Sequence, residues 1–149
     1  MKCRHCASDL QITFVDLGSS PPSNLYLTKK TINEPEKWYP LKVMVCDNCW
    51  LVQTEDFVGA GEMFSEDYAY FSSFSSTWLE HAKHYVEKVT SRFKLTSGSI
   101  VAEIAANDGY LLQYVQDKNI PCYGIEPTHS TAQAARDTGI EIIEEFFSV

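Results

Sequence analysis

The chain has no excess of basic residues, no long apolar run and few residues that break regular structure. Twelve Lys and Arg stand against twenty Asp and Glu, a formal charge of −8 at pH 7. A phosphate-backbone partner needs a basic footprint, so nucleic acid is not an expected partner. No apolar stretch approaches the roughly 20 residues of a membrane span, and "MKCRHCASDL" has no signal-peptide core. The expected location is therefore cytoplasmic, with no membrane partner. Only 6 Pro and 7 Gly accompany 44% hydrophobic residues, which excludes a disordered or fibrous chain. At 149 residues there is room for one ordinary domain or two small ones. The dinucleotide fingerprint G-x-G-x-x-G is also missing; the one loop that could carry it offers only Gly109.

What is present begins with cysteine. Cys3 and Cys6 form one C-x-x-C pair, and Cys46 and Cys49 form another. In a reducing compartment such pairs are ligands rather than disulfides. Two-residue spacing lets one tight turn present both sulfurs to one ion, and two such turns complete a tetrahedral Zn²⁺ site with no open position. Neither pair opens a helix after a strand, as a redox dithiol would. His5 reads as a bystander and Cys122, in "IPCYGIE", as a small core residue. Alternation from Leu10 to Leu17, and again in "YPLKVMVC" with Leu41, Val43 and Val45 on one face, predicts two short strands. Such a ribbon buries too little to fold alone, so the metal is expected to supply much of its stability.

Past Gly59 and Gly61 comes "DYAYFSSFSS", dense in rings and hydroxyls and without a period. Thr77 and Glu80 then fit a capping box. Leu79, Ala82, Val86, Val89 and Phe93 follow as the apolar stripe of a helix ending near Arg92. His81 and His84 on it read as a solvated face rather than a metal pair.

From Ser99 the pattern is α/β: "SIVAEIA" strand, "NDG" loop, "YLLQYVQDKN" helix, "IPCYGIE" strand, "STAQAARDTG" helix stopped by Gly139, and "IEII" strand. Such repeats pair in parallel through right-handed crossovers. Ligands of these sheets lie beyond the carboxyl ends of the strands, here Ala105–Gly109 and Glu126 with Pro127 behind it. With no pyrophosphate cradle, the acidic and polar set Glu103, Asn107 and Asp108 suits a cationic ligand, and Glu126 can accept both hydrogens of a ribose diol. A nucleoside with a positively charged tail satisfies both conditions, and S-adenosylmethionine is such a molecule. The bland reading leaves Glu126 as a strand-end acid and "NDG" as an ordinary turn.

Together, CxxC…CxxC, "DYAYFSSFSSTWLEHA", "EIAANDGYLL", "GIEP" and "EFF" resemble the zinc-containing, S-adenosylmethionine-dependent C-methyltransferases, a group that includes enzymes acting on nucleotide-linked deoxysugars. The resemblance runs over almost the whole chain. It implies an α/β protein: a zinc-ribbon-like module at 1–57, a linker and helical segment covering the active site at 58–98, and at 99–149 a partial Rossmann-like, class I methyltransferase domain of about three parallel strands. It implies that Glu103, Asn107, Asp108 and Gly109 line the methionine end of the cofactor, that Glu126 holds the ribose, and that Ala105, Pro127 and Ser73 also bind the cofactor. It places Tyr68, Tyr70, Ser72 and Ser73 over the active site, Tyr70 and Tyr68 as candidate catalytic hydroxyls, with a general-base histidine expected beyond Val149. Ala106 stands where the family shows serine, and Trp50 where glycine is common after the last cysteine.

The same resemblance implies further strands and a further domain, so the chain reads as an N-terminal portion, inactive alone. The first strand's open edge, with Ile100, Ile104, Leu111 and Leu112 lacking cover, would favour self-association. Alternatively "EEFFSV" folds back as a plug through Phe146 and Phe147. A reading of different class makes the chain a stand-alone zinc-ribbon interaction module with a non-catalytic half-sheet.

Overall fold

The computed structural model describes residues 1–64 and 68–148. The chain forms two compact units, Met1–Met63 and Phe64–Val149.

In the first unit, β1 (Ile12–Ser20) pairs antiparallel with β2 (Tyr39–Val45), and β2 pairs antiparallel with the short β3 (Val52–Thr54). A four-residue helix, α1 (Ala60–Met63), closes the unit. Register slips twice along β1, between Thr13 and Val15 and between Asp16 and Ser19. At the second slip Gly18 has φ +78°, and its N–H donates to Asp16 Oδ1 at 2.9 Å. Each slip breaks the period of two, so the expected alternation does not carry through. Leu10 is buried, whereas Phe14 and Leu17 are exposed.

On β2 the buried face is not Leu41, Val43 and Val45. Met44 and Cys46 are buried, Val43 and Val45 are half-buried and Leu41 is exposed. The cause is local: Cys46 must face the other thiols, and alternation then carries Met44 inward with it. The buried core of this unit is Cys3, Leu10, Met44 and Cys46, with Cys6, Cys49 and Leu51 against it. Two of the four buried members are thiols, which leaves little apolar surface to drive folding.

The second unit opens its regular structure with a single 3₁₀ turn over Ser72–Phe74, followed by α2 (Ser76–Phe93). The N-cap is Ser75, whose Oγ accepts from Trp78 N at 3.2 Å, rather than Thr77. Lys94, left-handed at φ 52°, ends the helix. Of the expected stripe, Ala82 and Val86 are buried, while Phe93 is exposed.

Strand β4 (Val101–Ile104) leads through a loop to α3 (Leu112–Gln116), β5 (Cys122–Ile125), α4 (His129–Asp137) and β6 (Glu141–Ile143). The three strands form a parallel sheet in the order β4-β5-β6. Its core is Val86, Ala106, Leu112, Val115, Ile120, Ala132, Ala135, Ile140 and Ile142. Gly124 belongs to that packing, because a Cβ there would lie 2.5 Å from Ala106 Cβ and 2.6 Å from Ile142 Cδ1. Gly139, at φ +86°, follows α4 as the expected stop.

Among the described residues no strand pairs with the outer edge of β4. Ile100 and Ile104 beside that edge are exposed, but Leu112 is fully buried under α4 and β5 neighbours and lacks no cover. Phe146 and Phe147 lie at the carboxyl ends of β4 and β5, where they line a cavity with Ile104 and Glu126. No helix among the described residues is long and apolar enough to cross a membrane.

Candidate functional site

Two places carry chemistry, one in each unit. In the first, Cys3, Cys6, Cys46 and Cys49 bring their sulfurs within 4.8 Å of one another. Cys3 Sγ lies 3.6 Å from Cys49 Sγ, and Cys6 Sγ lies 3.6 Å from Cys46 Sγ. A disulfide would hold the sulfurs at about 2.05 Å. A tetrahedron with Zn–S of about 2.3 Å sets them about 3.8 Å apart. The spacing is that of a metal site.

Both turns are built alike. Ala7 N donates to Cys3 O and Trp50 N to Cys46 O, each at 2.9 Å. Cys3 N donates to Ser8 O at 2.8 Å, and Cys46 N to Leu51 O at 3.0 Å. The residue after each second cysteine is left-handed, Ala7 at φ 61° and Trp50 at φ 65°. This is the position where glycine relieves the Cβ clash.

Hydrogen bonds at the Ser8 side chain and backbone draw the Cys6 thiol down to about 5. A backbone hydrogen bond at Leu51 pulls Cys49 the same way, but burial and the neighbouring thiols outweigh it and push Cys49 up to about 12. Four clustered thiols do not all ionise without a cation among them, and a bound dication supplies that charge. His5 and the α2 histidines are not in the cluster; His84 Nε2 sits 3.5 Å from Glu80 Oε1 instead.

Gln53, on β3, has no counterpart in the sequence reading. It is buried, donates from Nε2 to Cys3 Sγ at 3.3 Å and accepts from Arg4 N at 3.1 Å through Oε1. Such outer partners orient a ligand, and losing one costs about 10–100-fold in metal affinity. Gln53→Ala should therefore weaken zinc binding by about that factor in a chelator competition, with four thiolates still bound. An unchanged affinity would make Gln53 a packing residue only.

The second place lies beyond the carboxyl ends of β4 and β5. A cavity of about 280 Å³ is lined there by Tyr68, Tyr70, Ala105, Asn107, Glu126 and Pro127, with Phe146 and Phe147 beside them. Six residues far apart in sequence thus line one cavity. Glu103, by contrast, lines a groove along β4 with Val86, Val89 and Leu111, and Asp108 with Gly109 and Ser73 lines a third cavity beside Gln113.

The backbone of the connecting loop is unusual. Ala105 (φ 59°), Asn107 (φ 52°) and Gly109 (φ 79°) are all left-handed, at alternate positions. Glycine adopts this backbone most readily, yet only one of the three residues is glycine. Gly109 cannot be replaced, because a Cβ would meet Ile140 Cδ1 at 2.5 Å and Ala135 Cβ at 3.2 Å.

Glu126 ties the loop to the strand ends. Its Oε2 accepts from Asn107 N at 2.9 Å and its Oε1 from Thr128 N at 3.0 Å. The residue is buried, yet a carboxylate has about four acceptor sites, and only two are taken.

Around the loop, Trp78 stacks on His81 at 5.1 Å and on Tyr110 at 5.9 Å, an aromatic wall that the sequence reading did not foresee. Glu103 Oε2 and Asp108 Oδ1 are buried with no hydrogen-bond partner among the described residues. Burial, and then the charge of Asp108, pushes the Glu103 carboxyl up to about 7.

The sign of the resulting pH dependence is fixed. Glu103 holds its proton more tightly folded than unfolded, where glutamate titrates near ~4.3. Its neutral form therefore favours folding at low pH, and that contribution is lost as pH rises to about 7. Glu103→Gln should stabilise the second unit at pH 8 by roughly 2 kcal/mol and flatten its dependence between pH 5 and 8, after discounting for partial exposure. Urea unfolding at both pH values checks this; an equal slope in the two proteins would assign the dependence elsewhere.

Residues 3–64, which hold both cysteine pairs and Gln53, match the model of a methyltransferase-associated family described as "Putative zinc binding domain". The chain is also 29% identical over 147 residues to the C-methyltransferase NovU of Streptomyces niveus, covering 99% of this chain and 35% of that protein. The chain resembles the N-terminal portion of a zinc-containing C-methyltransferase. It spans about a third of the length of the curated relative it matches. In this chain the four-thiol cluster of the first unit is followed in sequence by a three-stranded parallel sheet.

Proposed function

We propose that this chain supplies the zinc module and the cofactor half-site of an S-adenosylmethionine-dependent methyltransferase acting on a carbon of a nucleotide-linked sugar. The observation that carries the reading is the cavity lined by Glu126 and a loop whose alternate residues are left-handed. The reaction class is taken from the C-methyltransferase relative, and the sugar from the family resemblance of the sequence motifs.

The residues fit the cofactor. Glu126 keeps acceptor capacity for a ribose diol beside Pro127, and the Phe146 and Phe147 rings offer an apolar wall for a base. Asn107, Ala105 and Gly109 bring the loop backbone close to the cavity, with Ser73 against Asp108 behind it. The unpartnered buried carboxylate oxygens of Glu103 and Asp108 lie in two other grooves, not in the Glu126 cavity. When bound, the cofactor supplies an electrophilic methyl group. The chain's own part is to orient that ligand and exclude water, with Tyr70 and Tyr68, which line the cavity, as hydroxyls for a sugar substrate. Cys3, Cys6, Cys46 and Cys49 would hold zinc with four thiolates and leave no open position, so its role would be to organise the first unit.

Titration calorimetry of the zinc-loaded chain with S-adenosylmethionine tests this. The expected result is one site per chain, lost on competition with S-adenosylhomocysteine. Tight zinc without any nucleoside binding would favour the other reading, a zinc-ribbon interaction module, for which the exposed Phe14, Leu17 and Trp38 of the first unit speak.

A further inference from the structure

The segment Tyr68–Phe74 carries the two tyrosines of the cavity, yet its backbone belongs to no strand. Its polar groups are satisfied instead by side chains of the loop after β4. Ser72 N donates to Asn107 Oδ1 at 2.9 Å, and Asn107 Nδ2 donates to Tyr70 O at 3.0 Å. Ser73 donates twice to Asp108 Oδ2, from its N at 3.0 Å and from its Oγ. Ser130 Oγ adds a bond to Tyr68 O at 3.0 Å. Ser72 is buried, so its N–H has no recourse to water if Asn107 is removed.

We propose that Asn107 and Asp108 are positioning residues: they latch Tyr70–Ser73 onto the left-handed loop and so set the tyrosine segment at the mouth of the Glu126 cavity. The inference rests on the cofactor-site reading for its consequence, but its geometry stands alone. Asn107 serves two ends at once. Among non-glycine residues asparagine is one of the few that occupies φ 52° routinely. Held in that conformation, its amide presents a donor and an acceptor to a passing backbone, much as a neighbouring strand would. The carbonyl and amide taken, Tyr70 O and Ser72 N, bracket Phe71. Asp108 extends the ladder by one residue with a charge-assisted pair on Ser73. Meanwhile the backbone N–H of Asn107 is held by Glu126 Oε2. A ligand that engages Glu126 and the segment carrying Tyr70 are thus joined through a single residue.

A glycine at 107 separates the two ends. Asn107→Gly keeps the left-handed backbone and its bond to Glu126 but deletes the Asn107 half of the latch, the bonds to Ser72 N and Tyr70 O. Amide exchange read by NMR on the zinc-loaded chain should then show Ser72 exchanging roughly tenfold faster or more, the loss of about one hydrogen bond, while Ser73, held by Asp108, changes less. Core amides such as Leu112 and Ile142 should keep their rates. Asn107→Asp, which retains an acceptor for Ser72 N and loses the donor to Tyr70 O, should restore slow exchange at Ser72. Nitration of Tyr70, mapped by mass spectrometry, should accelerate in Asn107→Gly and stay accelerated in Asn107→Asp, which cannot donate to Tyr70 O. Unchanged exchange at Ser72 in Asn107→Gly would overturn the latch. Equal acceleration at Leu112 and Ile142 would also overturn it, because Asn107 would then be holding the unit rather than the segment. S-adenosylmethionine titration of the same samples reports separately: a wild-type chain that shows the exchange pattern and binds no cofactor retains the latch and refutes the functional reading.

Discussion

Removing the metal should unfold residues 1–63 and leave the parallel sheet of the second unit intact. The first unit's buried set is Cys3, Leu10, Met44 and Cys46, so the elements are joined at the thiol cluster rather than across an apolar core. Cys3 and Cys6 come from the N-terminal turn, while Cys46 and Cys49 follow β2. Without an ion those four sulfurs repel on ionising, and the two left-handed turns at Ala7 and Trp50 lose what holds them. Structural zinc contributes about 10–16 kcal/mol in small modules, more than such a ribbon gains from burial. Addition of a strong chelator, followed by amide exchange, should abolish protection across β1, β2 and β3 while Leu112, Ile120 and Ile142 stay protected. Persistent protection at Met44 after the metal is gone would contradict the account.

Glu126→Ala should destabilise the second unit by about 3 kcal/mol and reduce affinity for S-adenosylmethionine at least tenfold. The stability loss follows from two amides, Asn107 N and Thr128 N, that lose charged acceptors in a buried setting. Thr128 is fully buried at the start of α4, so water cannot replace the carboxylate there. The affinity loss follows from removing the acceptor expected to meet the ribose diol, at about 1–3 kcal/mol. Thermal unfolding and titration below the variant's melting range check the two effects. A stable variant with unchanged affinity would return Glu126 to the role of a strand-end acid.

The cysteine set was legible because its signal is local: two residues between thiols define a turn whatever surrounds it. The α/β order from Ser99 onward was legible for the same reason, since period and stop signals sit within each element. The supporting contacts were not. Gln53 reaches Cys3 across 50 positions, and Asp108 reaches Ser73 across 35. Nothing in a residue's neighbours announces such a partner. The left-handed loop was hidden differently, because Ala105 and Asn107 adopt the conformation usually advertised by glycine. Along β1 the slips at Val15 and Gly18 defeated an alternation that looked regular on paper. Ser75 and Thr77 are both competent caps, and the turn over Ser72–Phe74 selects the earlier one.

The central claim is that the loop Ala105–Gly109 and Glu126 form a cofactor half-site. Amide chemical-shift mapping of the zinc-loaded chain with S-adenosylhomocysteine addresses it most directly. The account predicts saturable shifts at Asn107, Gly109, Thr128 and Phe146, with the β1–β3 amides unmoved. No saturable shift at Asn107 and Thr128, or shifts confined to residues 1–63, would contradict it.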